Sequence, residues 1–155
     1  MIVAALALVA VLPTYGPLPA PSPTAPPGMR IPVAPTEALI VNSGSTNTAG
    51  YRLRVDSAGR TTLQQGDIAL RKTVSVRLAQ RFFADLRAAG PLDAMRPARC
   101  MKSASFGTTM TIVYRGKTSP DVSCASAGRR LDEDALALAD AAGVTITARP
   151  LPGGP

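Results

Sequence analysis

Cys100 and Cys124 bracket a dense set of hydroxyl and charged side chains: Lys102, Ser103, Ser105, Ser119, Asp121 and Ser123. A serine becomes a nucleophile only when a base takes its proton, and the chain contains no histidine, so Ser-His-Asp and Cys-His chemistry is excluded. The substitute base would be lysine. Lys102 adjoins Ser103 and stands three before Ser105, which defines one candidate chemistry, a histidine-free Ser/Lys hydrolase built from Lys102 with Ser103 or Ser105. That dyad requires a desolvated lysine within hydrogen-bond reach of the hydroxyl. A lysine beside a disulfide-bonded turn is ordinarily solvated, so no catalytic residue is assigned and the balance is against an enzyme.

Paired-carboxylate chemistry would need two acidic side chains to converge. Asp132, Glu133 and Asp134 are consecutive and diverge around a helix start, where Asp132 is expected to cap. Asp121, after Pro120 and between Ser119 and Ser123, is expected to accept hydrogen bonds from backbone amides in a turn. Two cysteines without histidine cannot complete a tetrahedral Cys/His zinc site, and their spacing is not that of a Cys-x-x-Cys redox motif. No metal and no cofactor are expected. The Gly44-bearing loop 42–48 lacks the spaced glycines and Lys-Ser/Thr ending of a phosphate loop.

Binding is the remaining class. The expected surface combines the polar loop residues Asn42, Ser45, Thr46 and Asn47 with Ser103, Ser105, Ser119 and Asp121. Its partner would be a protein or an envelope polymer. With 17 Lys and Arg against 10 Asp and Glu the chain carries +7 at pH 7. The cations are scattered and mostly arginine, as a GC-rich coding sequence produces, so weak polyanion binding through Arg96, Arg99, Lys102, Arg115 and Lys117 is a subsidiary expectation. The chain has no tryptophan and few aromatics, which argues against stacking-based sugar or specific nucleic-acid recognition. A monomer is expected.

The elements that position these residues follow from periodicity. Ala38 to Asn42 reads as a buried strand, Tyr51 to Val55 alternates apolar and charged residues, and Arg60 to Gln65 returns through an Asp56 to Gly59 turn as a hairpin. Val74 to Ala89 carries apolar residues at Val76, Ala79, Phe83 and Leu86 with Phe82 beside them, which predicts a helix stopped by Gly90 and Pro91. On its polar side Arg81 stands four before Asp85 and is placed to pair with it. Thr108 to Tyr114 and a return after Lys117 make a second hairpin, Glu133 to Ala142 a second helix, and Val144 to Ile146 a last short strand. The pattern predicts an α+β domain: a mainly antiparallel sheet of about five or six strands with two helices on one face and one disulfide.

The ends differ in kind. Ile2 to Leu12 is uninterrupted apolar sequence, the length of a signal-peptide core rather than of a spanning helix, although no basic residue precedes it. Residues 1–16 are therefore read as signal-peptide-like, with an uncleaved membrane tether as the alternative. Residues 17–36 read as a Pro-rich spacer, 37–148 as the single domain and 149–155 as a tail. In an exported chain two cysteines pair, so Cys100–Cys124 is expected to be a disulfide. The segments 44–51, 100–107 and 119–124 resemble those of small exported bacterial proteins with no assigned activity. That resemblance spans about residues 38–124 and implies export and the disulfide, with no catalytic residue to carry over.

These readings converge on a small periplasmic or secreted, non-enzymatic binding domain. The alternatives are a protein inhibitor presenting a disulfide-braced loop to an enzyme and the Ser/Lys hydrolase.

Overall fold

The computed structural model describes residues 33–103, 105–124 and 129–145. The signal-like segment, most of the proline-rich spacer and the tail lie outside the described residues.

Among the described residues nine elements build an α+β fold. Strands β1 (Glu37–Asn42), β2 (Tyr51–Asp56), β3 (Arg60–Gln65) and β4 (Ile68–Thr73) are followed by helix α1 (Val76–Ala88), a short 3-10 turn (Leu92–Ala94), strands β5 (Met110–Tyr114) and β6 (Lys117–Thr118), and helix α2 (Arg129–Ala142). The strands form one six-stranded sheet in the order β4-β3-β2-β1-β5-β6, and every pairing is antiparallel. Four hairpins, three of them tight and one closed by the longer loop 43–50, and one long passage through α1 account for the order: the chain leaves the β4 edge, crosses by way of α1, and re-enters beside β1.

Register assigns the faces. Ile40 lies opposite Leu53 and Ile112, and Leu53 opposite Leu63. These residues, with Ala38, Val55, Met110 and Tyr114, form one core with Ala79, Phe82, Phe83 and Leu86 of α1 and Leu131, Ala135, Leu138 and Ala142 of α2. Both helices thus cover the same face. Phe83 links the layers, packing edge-on against Phe82 and Tyr114 at centroid distances of 5.7 and 5.6 Å, the geometry that ring quadrupoles favour. On the opposite face the period-2 alternation places Arg52 and Arg54 of β2, Thr62 of β3 and Arg71 of β4. Leu39 points the same way and is nevertheless buried, between its cross-strand neighbours Arg54 and Val113.

The turns show why particular residues stand where they do. At the β2–β3 turn Gly59 has φ +82°, and a Cβ there would lie 2.5 Å from the Val74 carbonyl oxygen, so only glycine fits. Asp56 fastens this turn: its carboxylate accepts from the Ala58 and Arg60 amides at 3.0 and 2.9 Å and pairs with the Arg60 guanidinium. Burial pushes the Asp56 carboxyl up, but the Arg60 hydrogen bonds and charge hold it below its ordinary range. At the β5–β6 turn Arg115 and Gly116 both have positive φ, 51° and 73°, as tight antiparallel hairpins require. Arg115 stacks over the Tyr114 ring at 5.1 Å, which offsets part of the cost of a left-handed arginine.

The structure departs from the sequence reading in five places. Strand β4 was not anticipated: it follows Gly66, whose φ is +57°, and as an edge strand it leaves Ile68 and Leu70 exposed. Helix α2 begins at Arg129, so Asp132 lies in its first turn and is not the cap. Residues 144 and 145 form no strand; Ile146 lies outside the described residues. Val76, assigned to the buried stripe of α1, is exposed at the helix start. Arg81 passes over Asp85 and pairs with Asp134 on α2 at 2.6 Å, because packing the two helices brings a buried carboxylate into reach of its side chain.

Candidate functional site

The hydroxyl-rich segment between the cysteines folds inward. Cys100 and Cys124 are bonded, with Cα atoms 5.5 Å apart, so the chain returns to its starting point after passing through the β5–β6 hairpin. Lys102 lies beneath this bridge and donates to three acceptors: the Thr108 carbonyl at 2.5 Å, the Ser123 hydroxyl at 2.6 Å, and the Asp121 carboxylate, with which it forms an ion pair. Asp121 is equally committed. Its other oxygen accepts from the Met110 amide at 2.9 Å, the Ser123 amide at 3.1 Å and the Ser123 hydroxyl at 2.6 Å. Burial alone raises the Asp121 carboxyl, but the hydrogen bonds from Lys102, Ser123 and Met110 outweigh it and bring it down to about 2.

This geometry supplies no base to Ser103 or Ser105. An ammonium whose three hydrogens are given to Thr108, Asp121 and Ser123 has no lone pair with which to take a proton. The Ser103 hydroxyl accepts from the Ser105 amide at 3.2 Å, a local turn bond. Ser123 is the hydroxyl that meets Lys102, and it already donates toward Asp121. Ser119 is buried, where its hydroxyl accepts from the Ile112 amide at 2.9 Å and donates to the Pro120 carbonyl at 2.7 Å. Ser119 thus substitutes for a missing ladder partner where Pro120 ends the strand.

The two polar loops meet each other. The Ser43 amide donates to the Thr109 carbonyl, the Thr109 amide donates back to the Ser43 hydroxyl, and the Ser105 carbonyl accepts from both the Ser45 hydroxyl at 2.7 Å and the Asn47 amide at 3.1 Å. Loop 43–50 and segment 103–109 therefore extend the β1–β5 pairing beyond the sheet. The close approach depends on glycine: Gly44 has φ +67°, and a Cβ on it would strike the Gly50 backbone at 2.4 Å. Of the expected binding residues, Asn42, Ser45 and Asn47 are thus brought together with Ser105, while Ser119 and Asp121 serve the strand and the turn. Thr46 sits in the same loop.

The expected basic cluster is divided among internal partners. Lys102 is held by Asp121, Lys117 pairs with Asp93 at 2.7 Å, and Arg115 lies on Tyr114. Arg96 and Arg99 remain in the stretch that leads to Cys100.

Beside the joined loops the structure reveals a feature that the sequence reading did not single out. A cavity of about 310 Å³ opens between loop 42–51, segment 106–108 and the exposed side of α2, with Tyr51, Phe106, Leu136 and Val144 in its walls. Asn42 is its polar corner. It lies opposite Tyr51 on one side and Met110 on the other, its amide nitrogen donates to the Thr108 hydroxyl at 3.3 Å, and its oxygen accepts from the Gly44 amide at 2.9 Å. Phe106 and Leu136 are 65% and 46% exposed, an uncommon use of large apolar side chains when they stand together. Tyr51 is only 7% exposed, and its hydroxyl is buried without a hydrogen-bond partner among the described residues. Burial pushes this phenol up to about 12, with the Asn42 amide drawing it partly back and Asp132 adding a smaller push.

One sequence signal pointed here. Leu131, Ala135, Leu138, Ala139 and Ala142 account for the buried stripe of α2, and Leu136 falls outside that stripe, one turn before Asp140, which also lines the cavity. No protein-family model, curated protein or solved structure matches this chain. Among the described residues no three His, Cys, Asp or Glu side chains group to hold a metal ion, and no helix is long and apolar enough to cross a membrane.

Proposed function

We propose that this chain is a small exported, non-enzymatic binding domain whose partner engages the loop end of the sheet. The observation that carries this reading is the pairing of an exposed Phe106 and Leu136 with a cavity, next to two loops hydrogen-bonded to each other. Desolvating large apolar side chains supplies binding free energy, and a preformed backbone lowers the ordering cost. Export is supported by the disulfide, which persists in oxidising compartments, and by the apolar run from Ile2 to Leu12. The non-enzymatic reading is supported by Lys102, whose donors are spent on Asp121, Ser123 and Thr108.

A photoreactive amino acid placed at position 106 tests this reading. In cells producing the full chain it is expected to capture an envelope component, whereas the same probe at Arg87, on the outer side of α1, captures none. Equal labelling from both positions, or none from position 106, overturns it.

A second reading has its own observation. Met101, directly after Cys100, is fully exposed, as is the contact residue of an inhibitor that presents a disulfide-braced loop to an enzyme. Crosslinks centred on position 101, with position 106 silent, would favour it.

A further inference from the structure

We propose that the edge strand β4 is an interface between two copies of this chain, which pair antiparallel about Ala69 so that their sheets join into one. The interface shares no residue with the site of Phe106 and Leu136 and stands independently of the reading above.

Strand β4 closes one end of the six-stranded sheet, with β3 on one side and no strand on the other among the described residues. All of its residues are exposed, including Ile68 at 61% and Leu70 at 40%. Proteins ordinarily shorten such an apolar, unpaired edge or guard it with charge. The opposite edge is shortened: β6 has only Lys117 and Thr118. On the β4 edge Lys72 is the residue placed to guard, since it shares a face with Ile68 and Leu70. Its ammonium lies instead against Gly143 at the end of α2, 2.5 Å from where a Cβ on that glycine would stand, a position that the negative end of a helix favours.

Backbone parity limits how a second strand can add. The Val74 amide donates to the Gly59 carbonyl at 2.8 Å, and the register continues with Lys72 opposite Thr61, Leu70 opposite Leu63 and Ile68 opposite Gln65. Hydrogen-bonded and non-hydrogen-bonded pairs alternate along an antiparallel ladder. Ile68, Leu70 and Lys72 therefore bond to β3, while Ala69, Arg71 and Thr73 turn their N–H and C=O groups outward.

A second copy must set outward residues against outward residues. Of the registers that do so, the one with Ala69 opposite Ala69 brings Asp67, in the β3–β4 turn, to Arg71 at both ends. It also sets Ile68 against Leu70 twice, in the non-hydrogen-bonded positions where side chains lie closest. Centring on Leu70 sets Ile68 against Lys72, and centring on Arg71 sets arginine against arginine. Neither Asp67 nor Arg71 has an ion-pair partner in its own chain among the described residues. The twofold closes after two copies, since each spends its β4 edge on the other.

Sedimentation velocity of the full chain over a range of concentrations tests the proposal. The expected result is a reversible monomer–dimer equilibrium. Hydrogen exchange at the Ala69 and Arg71 amides should slow only as the dimer forms, while the Leu70 and Lys72 amides are protected throughout. Ala69→Pro, which removes an outward N–H and no bond to β3, should weaken dimerisation about tenfold or more. Asp67→Arg and Arg71→Asp should each weaken it about threefold or more by setting like charges opposite. An equimolar mixture of those two variants should restore association, because each then meets its opposite charge. Both charge reversals lie on exposed side chains and keep the test decisive should Ala69→Pro fail to fold. A monomer at every concentration, or open-ended aggregates in place of a dimer, overturns the proposal. So does a dimer unaffected by Ala69→Pro and by both charge reversals, or a mixture that associates no better than the separate variants.

Discussion

Lys102 and Asp121, nineteen residues apart in sequence, form the ion pair that fixes the disulfide loop to the sheet. Neither side chain faces outward as a reactive group. The carboxylate binds the Met110 amide, where β5 begins, while the ammonium gathers Thr108 and Ser123. The pair does for the segment before β5 what an additional ladder rung would do, at a place where the chain is too irregular to pair.

Asp121 should make stability sensitive to acid. Its folded-state carboxyl is depressed to about 2 from 3.8, so the unfolded chain binds the proton more readily. The stabilisation is complete above about pH 5 and is lost as pH falls toward 2. From the size of the shift it amounts to roughly 2 kcal/mol. Urea unfolding at pH 7, 4 and 2.5 should show Asp121→Asn less stable than the parent at neutral pH, with the two converging at the acid end. Parallel curves across the range would contradict this origin of the acid sensitivity.

The Cys100–Cys124 bond joins residues 24 positions apart. In the chain-entropy account such a closure contributes about 3.5 kcal/mol. The Cys100→Ser/Cys124→Ser double variant should lose stability of that order in urea. Protein recovered from cells without reductant should take up alkylating reagent at both cysteines only after reduction, a shift that mass spectrometry reads directly. Free thiols in recovered protein would contradict the bond.

Arg81 and Asp134 couple the helices asymmetrically. The carboxylate is nearly inaccessible while the guanidinium is 60% exposed, and one Asp134 oxygen has no partner among the described residues. Burial pushes the Asp134 carboxyl up, Arg81 pulls it down, and Asp85 adds to the rise, leaving it above its ordinary value. A raised carboxyl costs stability as pH rises through its folded-state value, the opposite sign to Asp121. Arg81→Ala, which leaves the buried charge alone, should destabilise by about 1–3 kcal/mol at pH 7. Asp134→Asn should be near neutral, since it removes the buried charge and keeps an acceptor for Arg81. Thermal unfolding of both variants checks the pair, and a larger loss in Asp134→Asn than in Arg81→Ala would reverse the assignment.

Tyr51 is the second buried polar group with a consequence for stability. Because its hydroxyl has no partner, Tyr51→Phe should keep or raise stability at pH 7, by up to about 1 kcal/mol. The folded-state phenol is raised to about 12, so the unfolded chain gives up its proton first and stability falls between pH 10 and 12. Tyr51→Phe should remove that alkaline fall. Chemical denaturation at pH 7 and pH 11 measures both effects, and a variant destabilised at pH 7 would show that the hydroxyl is satisfied in solution.

How much of this was legible in the sequence varies with the range of the interaction. Alternation in Tyr51 to Val55 placed β2, and the spacing of Ala79, Phe82, Phe83 and Leu86 placed α1, because both patterns repeat within a few residues. The α+β class and the disulfide followed from the same local patterns and from two cysteines in a chain with an apolar leader-like run. Strand β4 escaped because Ile68 to Thr73 lies at the sheet edge, where an apolar face need not be covered and the alternation loses its contrast.

The candidate site was legible only in its parts. Composition excluded histidine chemistry outright, and residue types marked Asn42, Ser45, Asn47 and Ser105 as polar loop residues. That those loops bond to each other, that Lys102 meets Ser123 and Asp121 rather than Ser103, and that Tyr51 shares a cavity with Phe106 and Leu136 depend on strand register and on where α2 packs. Local propensity is written in neighbouring residues and can be read from them. The partner of a buried hydrogen-bonding group is set by segments dozens of positions away, and only the folded chain brings them together.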